Sequence, residues 1–270
     1  MWDQVQETVQ FIQSKFNTVP EYGIILGSGL GNFTEDIIIE YSIPYSEIPN
    51  FPVSTVVGHQ GKLIFGKVGG KNVVAMQGRF HYYEGYSMQE VTFPVRVMKY
   101  LGIQKLIVSN ASGGVNPDYE IGGIILIKDH INFTPEHPLR GKNDERFGPR
   151  FVNMSEPYSL KMIAKAKEIA AANAIKVQDG IYFGLQGPTF ETLAEYNMVY
   201  RMGADCVGMS TVPEVIVARH MSLETFGLSV ITDIGRDGFL ETISHEEVLE
   251  AAKMAEPKVR LLIKNLIEGY

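Results

Sequence analysis

The chain has 270 residues, 45% of them hydrophobic and 20% charged, with a formal net charge of −7. This composition excludes a disordered chain, because a chain of this length can bury roughly three quarters of its unfolded surface. The acidic balance argues against nucleic acid and anionic membranes as partners, since both require a basic stripe that no segment provides.

No linker, low-complexity tract or repeat interrupts the sequence, which predicts one domain over residues 1–270. The first residues, MWDQVQETVQ, have neither a basic segment nor an apolar core, so they do not resemble a signal peptide. No apolar run approaches the ~20 residues of a membrane span. Cys206 is the only cysteine, which excludes an internal disulfide. We expect a cytoplasmic enzyme.

Short apolar runs rich in β-forming residues predict strands along the whole chain. They cover residues 22–27, 62–68, 72–77, 105–110, 123–128, 180–186 and 226–232. Several are apolar throughout, as strands covered on both faces must be. Between them, helical patterns cover residues 92–102 and 189–202, and Gly203 follows the second as a left-handed stop.

Two further helices are predicted by capping-box spacing. Thr211 stands three residues before Glu214, and Ser244 three residues before Glu247. The last helix then meets Pro257, where it either kinks or gives way to a second helix. Strands alternating with helices predict an α/β domain with a largely parallel sheet, whose chemistry lies at the carboxyl ends of the strands.

A glycine-rich segment, GSGLG at residues 27–31, directly follows the first strand and could bring backbone N–H groups close to an anion. It does not fit a dinucleotide site, because Asn32 stands where the third glycine would fall. A tight turn is the simpler interpretation. The hydroxyl of Ser28 adds a donor that favours a ligand site.

The segment GRFHYYEGY, residues 78–86, follows the strand at 72–77. Arg79 offers a planar fork that matches two phosphate oxygens, and His81 adds a donor or an acceptor. A solvated arginine beside packed aromatic rings is the alternative.

Three weaker signals also follow strands. The small residues of NASGGVNP, residues 110–117, permit close approach to a ligand. Glu191 in GPTFET is expected in the first turn of a helix, where the helix dipole alone would explain a carboxylate. Ser210 in GMSTVPE could bind an anion at a helix N-terminus. The histidines lack metal-site spacing, and Ser210 lacks the GxSxG elbow of hydrolases.

Taken together, these segments resemble the homotrimeric purine nucleoside phosphorylases over nearly the whole chain. The motifs that carry the resemblance occur in the family's order: GSGLG, GHQGKLIFG, GRFHYYEGY, NASGGVNP, HPLRGKNDERFG, GPTFET, GADCVGMSTVPEVIVARH and SHEEVL. The resemblance implies a three-layer α/β/α domain around a mixed, partly closed sheet. It also implies phosphorolysis of purine ribonucleosides and deoxyribonucleosides, with phosphate and nucleoside as the substrates.

The resemblance also assigns roles to individual residues. Phosphate would be held by Ser28, His59, Arg79, His81, the backbone N–H of Ala111, and Ser210. The ribose would be surrounded by His81, Tyr83, Met209, His245 and, from a neighbouring subunit, Phe151. The base would face Phe190, Glu191 and Asp233. His81, Glu191 and Asp233 would take part in catalysis. Because bound phosphate is the nucleophile, no cofactor and no metal are expected.

Asp233 departs from the family pattern, since 6-oxopurine-specific members carry Asn at this position. An ionised carboxylate cannot donate to N7 or O6 of a 6-oxopurine, but a protonated one can. We therefore expect a preference for 6-oxopurines, a minor adenosine activity, and a decline in inosine turnover at alkaline pH.

Three alternatives remain at the level of sequence. An adenosine or methylthioadenosine phosphorylase would share the fold, but Glu191 suits the N1–H of a 6-oxopurine and His245 suits a 5′-hydroxyl. A nucleosidase that uses water would not need the phosphate-binding residues. A binding module without catalysis is the third.

Overall fold

The structure is a computed structural model that describes residues 1–55, 60–236, 239–240 and 244–270. The strands in these ranges are β1 (Tyr22–Leu26), β2 (Ile38–Pro44), β3 (Lys62–Val68), β4 (Lys71–Gln77), β5 (Lys105–Gly114), β6 (Ile124–Asn132), β7 (Val177–Gly184), β8 (Cys206–Gly208), β9 (Glu224–Arg236) and β10 (Phe239–Leu240). The α-helices are α1 (Trp2–Lys15), α2 (Met88–Val91), α3 (Phe93–Leu101), α4 (Leu160–Ala172), α5 (Leu193–Arg201), α6 (Val212–His220) and α7 (His245–Gly269). None of these helices has both the length and the apolar character needed to cross a bilayer.

The strands form one sheet in the order β10-β9-β6-β7-β8-β5-β1-β4-β3-β2, and an additional pairing of β9 with β5 partly closes it. β1 is parallel to β4 and β5, whereas β3 is antiparallel to β2 and β4. The prediction of a largely parallel sheet from the order of elements is therefore wrong. The mixed sheet implied by the resemblance is confirmed.

A glycine pair explains why the sheet is mixed at one edge. Gly69 and Gly70 connect β3 to β4 and have φ values of 55° and 81°. Two successive residues with positive φ form the tight turn that suits the twist of a hairpin. The chain must therefore return antiparallel at this point, where a crossover helix would have given a parallel pair.

Helices pack around the sheet in two groups. One group contains α1, α2, α3 and α6, and the other contains α4 and α7. The strands between them are buried, β1 along its whole length, which explains the apolar runs in the sequence. The chain is thus an α/β protein in which sheet and helices form layers.

The helix predicted at residues 92–102 is confirmed as α3, with Gly102 at φ 122° after its last residue. The helix predicted to start at residue 189 starts four residues later. Thr192 is its N-cap and forms a capping box with Glu195, so Glu191 precedes the helix. The expected position of Glu191 in the first turn is therefore wrong. Gly203, at φ 90°, is the left-handed stop that was predicted.

Of the two predicted capping boxes, the one at Ser244 and Glu247 is confirmed. The one at Thr211 and Glu214 is wrong, because Thr211 makes no side-chain cap and Glu214 binds elsewhere. Pro257 lies inside α7, which is one continuous helix. Residues on both sides of the proline are buried, so packing of the helix face offsets the lost backbone hydrogen bond.

Two strands extend beyond their predicted ends. β5 continues to Gly114, so most of the predicted loop NASGGVNP is strand, and β9 continues to Arg236. The extension follows from pairing, because Gly113 lies opposite Asp233 and the last two residues of β5 also pair with β8. Residues expected in separate loops are therefore held side by side on two paired strands.

Candidate active site

Nearly all of the site residues that the sequence predicted line one pocket. Its lining contains Ser28, Arg79, His81, Tyr83, Ala111, Phe190, Glu191, Met209, Ser210, Asp233 and His245. Phe151 is not among them, and His59 lies outside the described residues. The pocket also takes in Asn110 and Thr232, two strand residues that were not predicted as site residues.

Arg79 lies at one end of the pocket and is 1% exposed. Its Nε and Nη2 donate to the two carboxylate oxygens of Glu214, at 3.1 and 2.8 Å. Its Nη1 donates to the backbone oxygen of Ser109 at 2.6 Å and to Ser210 Oγ at 3.2 Å. Two of the guanidinium donors that the sequence analysis assigned to phosphate are thus used to bind the buried carboxylate of Glu214. Glu214 fixes the arginine, which faces the pocket beside Ser210.

The glycine-rich loop that carries Ser28 is fixed by close packing. A Cβ on Gly27 would lie 2.5 Å from the backbone oxygen of Ser109, so only glycine fits there. At the end of the loop, Glu256 of α7 accepts from the backbone N–H and the side-chain amide of Asn32, both at 2.8 Å. The loop is therefore tied both to β5 and to the helix that carries His245.

A polar network explains the local geometry before α6. Asn110 Nδ2 donates to Thr211 Oγ1 at 2.8 Å, and Ser229 Oγ donates to Asn110 Oδ1. Thr211 has φ 69°, a backbone conformation that a β-branched residue rarely adopts. The network holds this turn and keeps Ser210 directed toward Arg79.

His81 and Glu84 form a second fixed pair. Glu84 accepts from the backbone N–H of His81 at 2.8 Å, and its Oε1 lies 3.1 Å from His81 Nδ1. Burial opposes the charge on Glu84, but hydrogen bonds from His81 and Thr55 lower its pKa to about 2. Burial also lowers the pKa of His81. In neutral His81, Nδ1 must then carry the proton, and Nε2 is an acceptor.

The opposite end of the pocket contains two buried carboxyl groups, Glu191 and Asp233. Burial, with a contribution from the neighbouring Asp233, raises the pKa of Glu191 to about 7. Burial also raises the pKa of Asp233. Asp233 accepts from Tyr196 Oη at 2.5 Å and from Thr232 Oγ1 at 3.0 Å.

Two aromatic residues predicted at the site differ sharply in placement. Phe190 lines the pocket next to Glu191 and is 43% exposed. Phe151 is 89% exposed and lines a separate cleft with His130, His137 and Arg150. Within one chain, Phe151 therefore takes no part in the pocket.

Three important residues were not assigned a site role from the sequence. Glu214 carried a misleading capping signal, and its partner Arg79 is 135 residues away. Tyr196 carried no signal. Glu84 lies within GRFHYYEGY, where its spacing of three residues from His81 matches the observed contact. Among the residues that the structure describes, no cluster of His, Cys, Asp and Glu has a metal-binding arrangement.

Comparison with known proteins gives a consistent result. Residues 21–268 match the model of the phosphorylase superfamily. Purine nucleoside phosphorylase 1 of Geobacillus stearothermophilus is 48% identical, over 98% of this chain and 97% of its own length.

Two solved structures of Schistosoma mansoni purine nucleoside phosphorylase superimpose on nearly the whole chain, each at 41% identity. Isoform 2, in complex with cytosine and ribose-1-phosphate, has a TM-score of 0.94 and covers 99% of this chain and 96% of its own. The complex with adenosine has a TM-score of 0.93 and covers 99% and 97%.

Proposed function

The chain belongs to the purine nucleoside phosphorylase family of the phosphorylase superfamily, and from this premise we propose the reaction that its pocket performs. It is a pentosyltransferase that cleaves inosine, guanosine and their deoxy forms with inorganic phosphate. The products are the free purine and (deoxy)ribose 1-phosphate, as purine salvage requires. One observation carries the proposal: a fixed arginine with hydroxyl donors lies at one end of a pocket whose other end holds two carboxyl groups.

Phosphate binds at the arginine end. Its ligands are the Ser28 and Ser210 hydroxyls, the Arg79 guanidinium, the backbone N–H of Ala111, His59 and His81. Because Glu214 already fixes the plane of Arg79, phosphate meets a preorganised donor, and little reorganisation is needed. Through Nε2, the neutral ring of His81 can accept a hydrogen bond from a protonated phosphate oxygen or from a ribose hydroxyl.

The ribose lies between the two ends. Tyr83 stacks on His81, with ring centroids 4.7 Å apart, and both line the pocket with Met209 and His245. Phe151 covers this region of a neighbouring subunit in a homotrimer, which accounts for its high exposure in one chain. Each subunit then completes the site of its neighbour.

The reaction needs positioning, electrostatic stabilisation and one proton for the leaving purine. Phosphate oxygen forms a bond to C1′ as the bond from C1′ to N9 breaks, and the purine leaves with the electron pair. The sugar passes through an oxocarbenium-like state, as in glycosyl transfer generally. The negative charge on the purine is neutralised by a proton supplied at the base end. We propose that the enzyme uses no cofactor and no metal, and that it works in the cytoplasm as one domain.

The base end selects the purine. Ionised Glu191 accepts from the N1–H of a 6-oxopurine, Phe190 covers the ring, and protonated Asp233 donates to N7 or O6. The Schistosoma mansoni relative binds adenosine, which supports adenosine as the alternative substrate to test here.

A panel of inosine, guanosine, adenosine and methylthioadenosine, each with and without phosphate, tests the proposal. Phosphate-dependent release of hypoxanthine and guanine is the expected result. Cleavage without phosphate would identify a nucleosidase, and binding without turnover a binding module. Preference for methylthioadenosine would replace the proposed substrate class.

A further inference from the structure

Tyr196 is a buried residue of α5 that the reaction described above does not use. It is 1% exposed, and its hydroxyl donates to Asp233 Oδ2 at 2.5 Å. The carboxyl group of Glu191 lies close enough to the same hydroxyl for each group to shift the pKa of the other. One phenol thus connects the two carboxyl groups that face the base.

The position of Tyr196 is imposed by two glycines on the paired strands. A Cβ on Gly113 would lie 2.7 Å from Tyr196 Oη and 2.8 Å from Asp233 Oδ2. A Cβ on Gly235 would overlap the ring of Tyr196. Because both strand positions lack side chains, the ring fits against them and its hydroxyl can reach both acids.

The hydrogen bonds to Asp233 indicate where protons reside among Tyr196, Asp233 and Glu191. A phenol has one hydrogen to donate, and Asp233 receives it, together with a second hydrogen bond from Thr232. These donors favour the charged form of Asp233. Burial raises the pKa of Glu191 to about 7, so Glu191 is the acid that retains a proton near neutral pH. Glu195 of α5 adds a nearby negative charge, and His81 and His245 line the same pocket.

We propose that Tyr196 is a positioning residue that lets a single proton reside on either Glu191 or Asp233, and that the site thereby accepts 6-aminopurine nucleosides as a second substrate class. This inference rests on the proposed phosphorolysis and concerns the same pocket. It differs from a general tolerance for adenosine, because it requires the hydroxyl of Tyr196.

The two placements of the proton match the two classes of base. With the proton on Glu191, this residue donates to N1 of adenine, and ionised Asp233 accepts from the 6-amino group. With the proton on Asp233, ionised Glu191 accepts from the N1–H of hypoxanthine, and Asp233 donates to N7 or O6. Each state can give N1 and the 6-substituent a matching partner, which avoids the cost of leaving these buried polar groups unpaired.

The exchange between the states conserves all protons. Glu191 passes its proton to the oxygen of Tyr196 while Tyr196 passes its own hydrogen to Asp233. The phenol is neutral before and after the exchange, and one proton has moved from one acid to the other. Burial raises the pKa of Tyr196, so the phenol remains protonated as a relay requires.

The test compares Tyr196→Phe with Tyr200→Phe, a control on the same helix whose ring is 52% exposed. The kcat/KM values for inosine and adenosine are measured with phosphate from pH 5.5 to 9. Without the phenol, Asp233 loses a donor and takes the proton, which is the 6-oxopurine state. We therefore expect the ratio of inosine to adenosine kcat/KM to rise at least tenfold at neutral pH in Tyr196→Phe and to stay constant in Tyr200→Phe.

Equal losses for both substrates in Tyr196→Phe would show a merely structural tyrosine and overturn the inference. A wild-type enzyme that cleaves inosine but not adenosine would overturn it as well, and would leave the proposed function intact. If the wild-type enzyme cleaves neither, the proposed function itself fails. Should Tyr196→Phe fold poorly, proton uptake on binding adenine and hypoxanthine to the wild-type enzyme gives the second measurement. Binding of both bases near pH 7 with little net proton change supports one shared proton, and uptake of a full proton with adenine alone contradicts it.

Discussion

The two ends of the pocket hold charge in opposite ways. At the proposed phosphate end, Arg79 is paired through two hydrogen bonds with Glu214, and a guanidinium group stays charged in proteins. At the base end, burial raises the pKa of both Glu191 and Asp233, and one phenol lies between them. The guanidinium at one end therefore has a fixed charge, and the two carboxyl groups at the other end are titratable.

In the proposed reaction the two ends recognise different groups, which explains the difference. Phosphate is always an anion, so a permanently charged and immobile donor suits it at every pH at which the protein is folded. Purines differ in whether N1 and the 6-substituent donate or accept hydrogen bonds. A group that changes its protonation can match either pattern, which a fixed charge cannot do.

The largest effect on activity is expected from removing the guanidinium of Arg79. In Arg79→Ala, turnover should fall by about two orders of magnitude or more and the KM for phosphate should rise, because a preorganised charged donor is lost. Steady-state kinetics with varied phosphate measures both. Normal phosphate dependence in this variant would remove Arg79 from the site.

The same variant leaves Glu214 buried without its partner, which costs about 3–5 kcal/mol of stability. Arg79→Ala combined with Glu214→Gln is the matched control. We expect thermal unfolding of the double variant to move back toward that of the wild type while turnover stays low. Recovery of activity in the double variant would show that Arg79 matters for stability alone.

Asp233→Asn replaces one of the two titratable carboxyl groups by an amide. The amide donates to N7 at any pH, and Glu191 loses a neighbouring negative charge, so its pKa falls and it becomes an acceptor. Adenosine kcat/KM should fall about 10- to 100-fold through the mismatch at N1. The alkaline decline of inosine turnover should flatten. Identical pH profiles for both proteins would show that Asp233 does not contact the base.

Phe151 belongs to neither end of the pocket. Its substitution sharpens the comparison because it should affect nucleoside binding and not phosphate binding. If it covers the ribose of a neighbouring subunit, Phe151→Ala should raise the nucleoside KM about tenfold and leave phosphate binding nearly unchanged. Sedimentation should give a trimer. A fully active monomer would contradict this role.

The smallest effect concerns stability as a function of pH. The pKa of Glu191 is raised to about 7, so the folded state loses stability as pH rises through that value. Glu191→Gln should therefore raise the melting temperature at pH 8.5 by about 2–4 °C for each kcal/mol of relieved charge burial, and by less at pH 5. Glu250→Gln, on the exposed surface of α7, is the control. A change in melting temperature that is the same at both pH values would indicate that the pKa of Glu191 is not raised in the folded protein.

Short-range features of the sequence determined much of this protein. Buried strands, the Ser244 and Glu247 capping box and the stop at Gly203 follow from chemistry within a few residues, so local patterns predicted them. The order of the motifs was enough to identify the family and most of the residues that line the pocket.

Only the tertiary structure decided the partners of the charged groups. Glu214 has the spacing of a helix cap, yet it pairs with Arg79, because a buried guanidinium requires a buried counter-charge that no local contact supplies. Tyr196 reaches Asp233 because strand pairing brings Gly113 and Gly235 together against its ring. The sequence determined which groups the site contains, and long-range pairing decided which of them lie in contact.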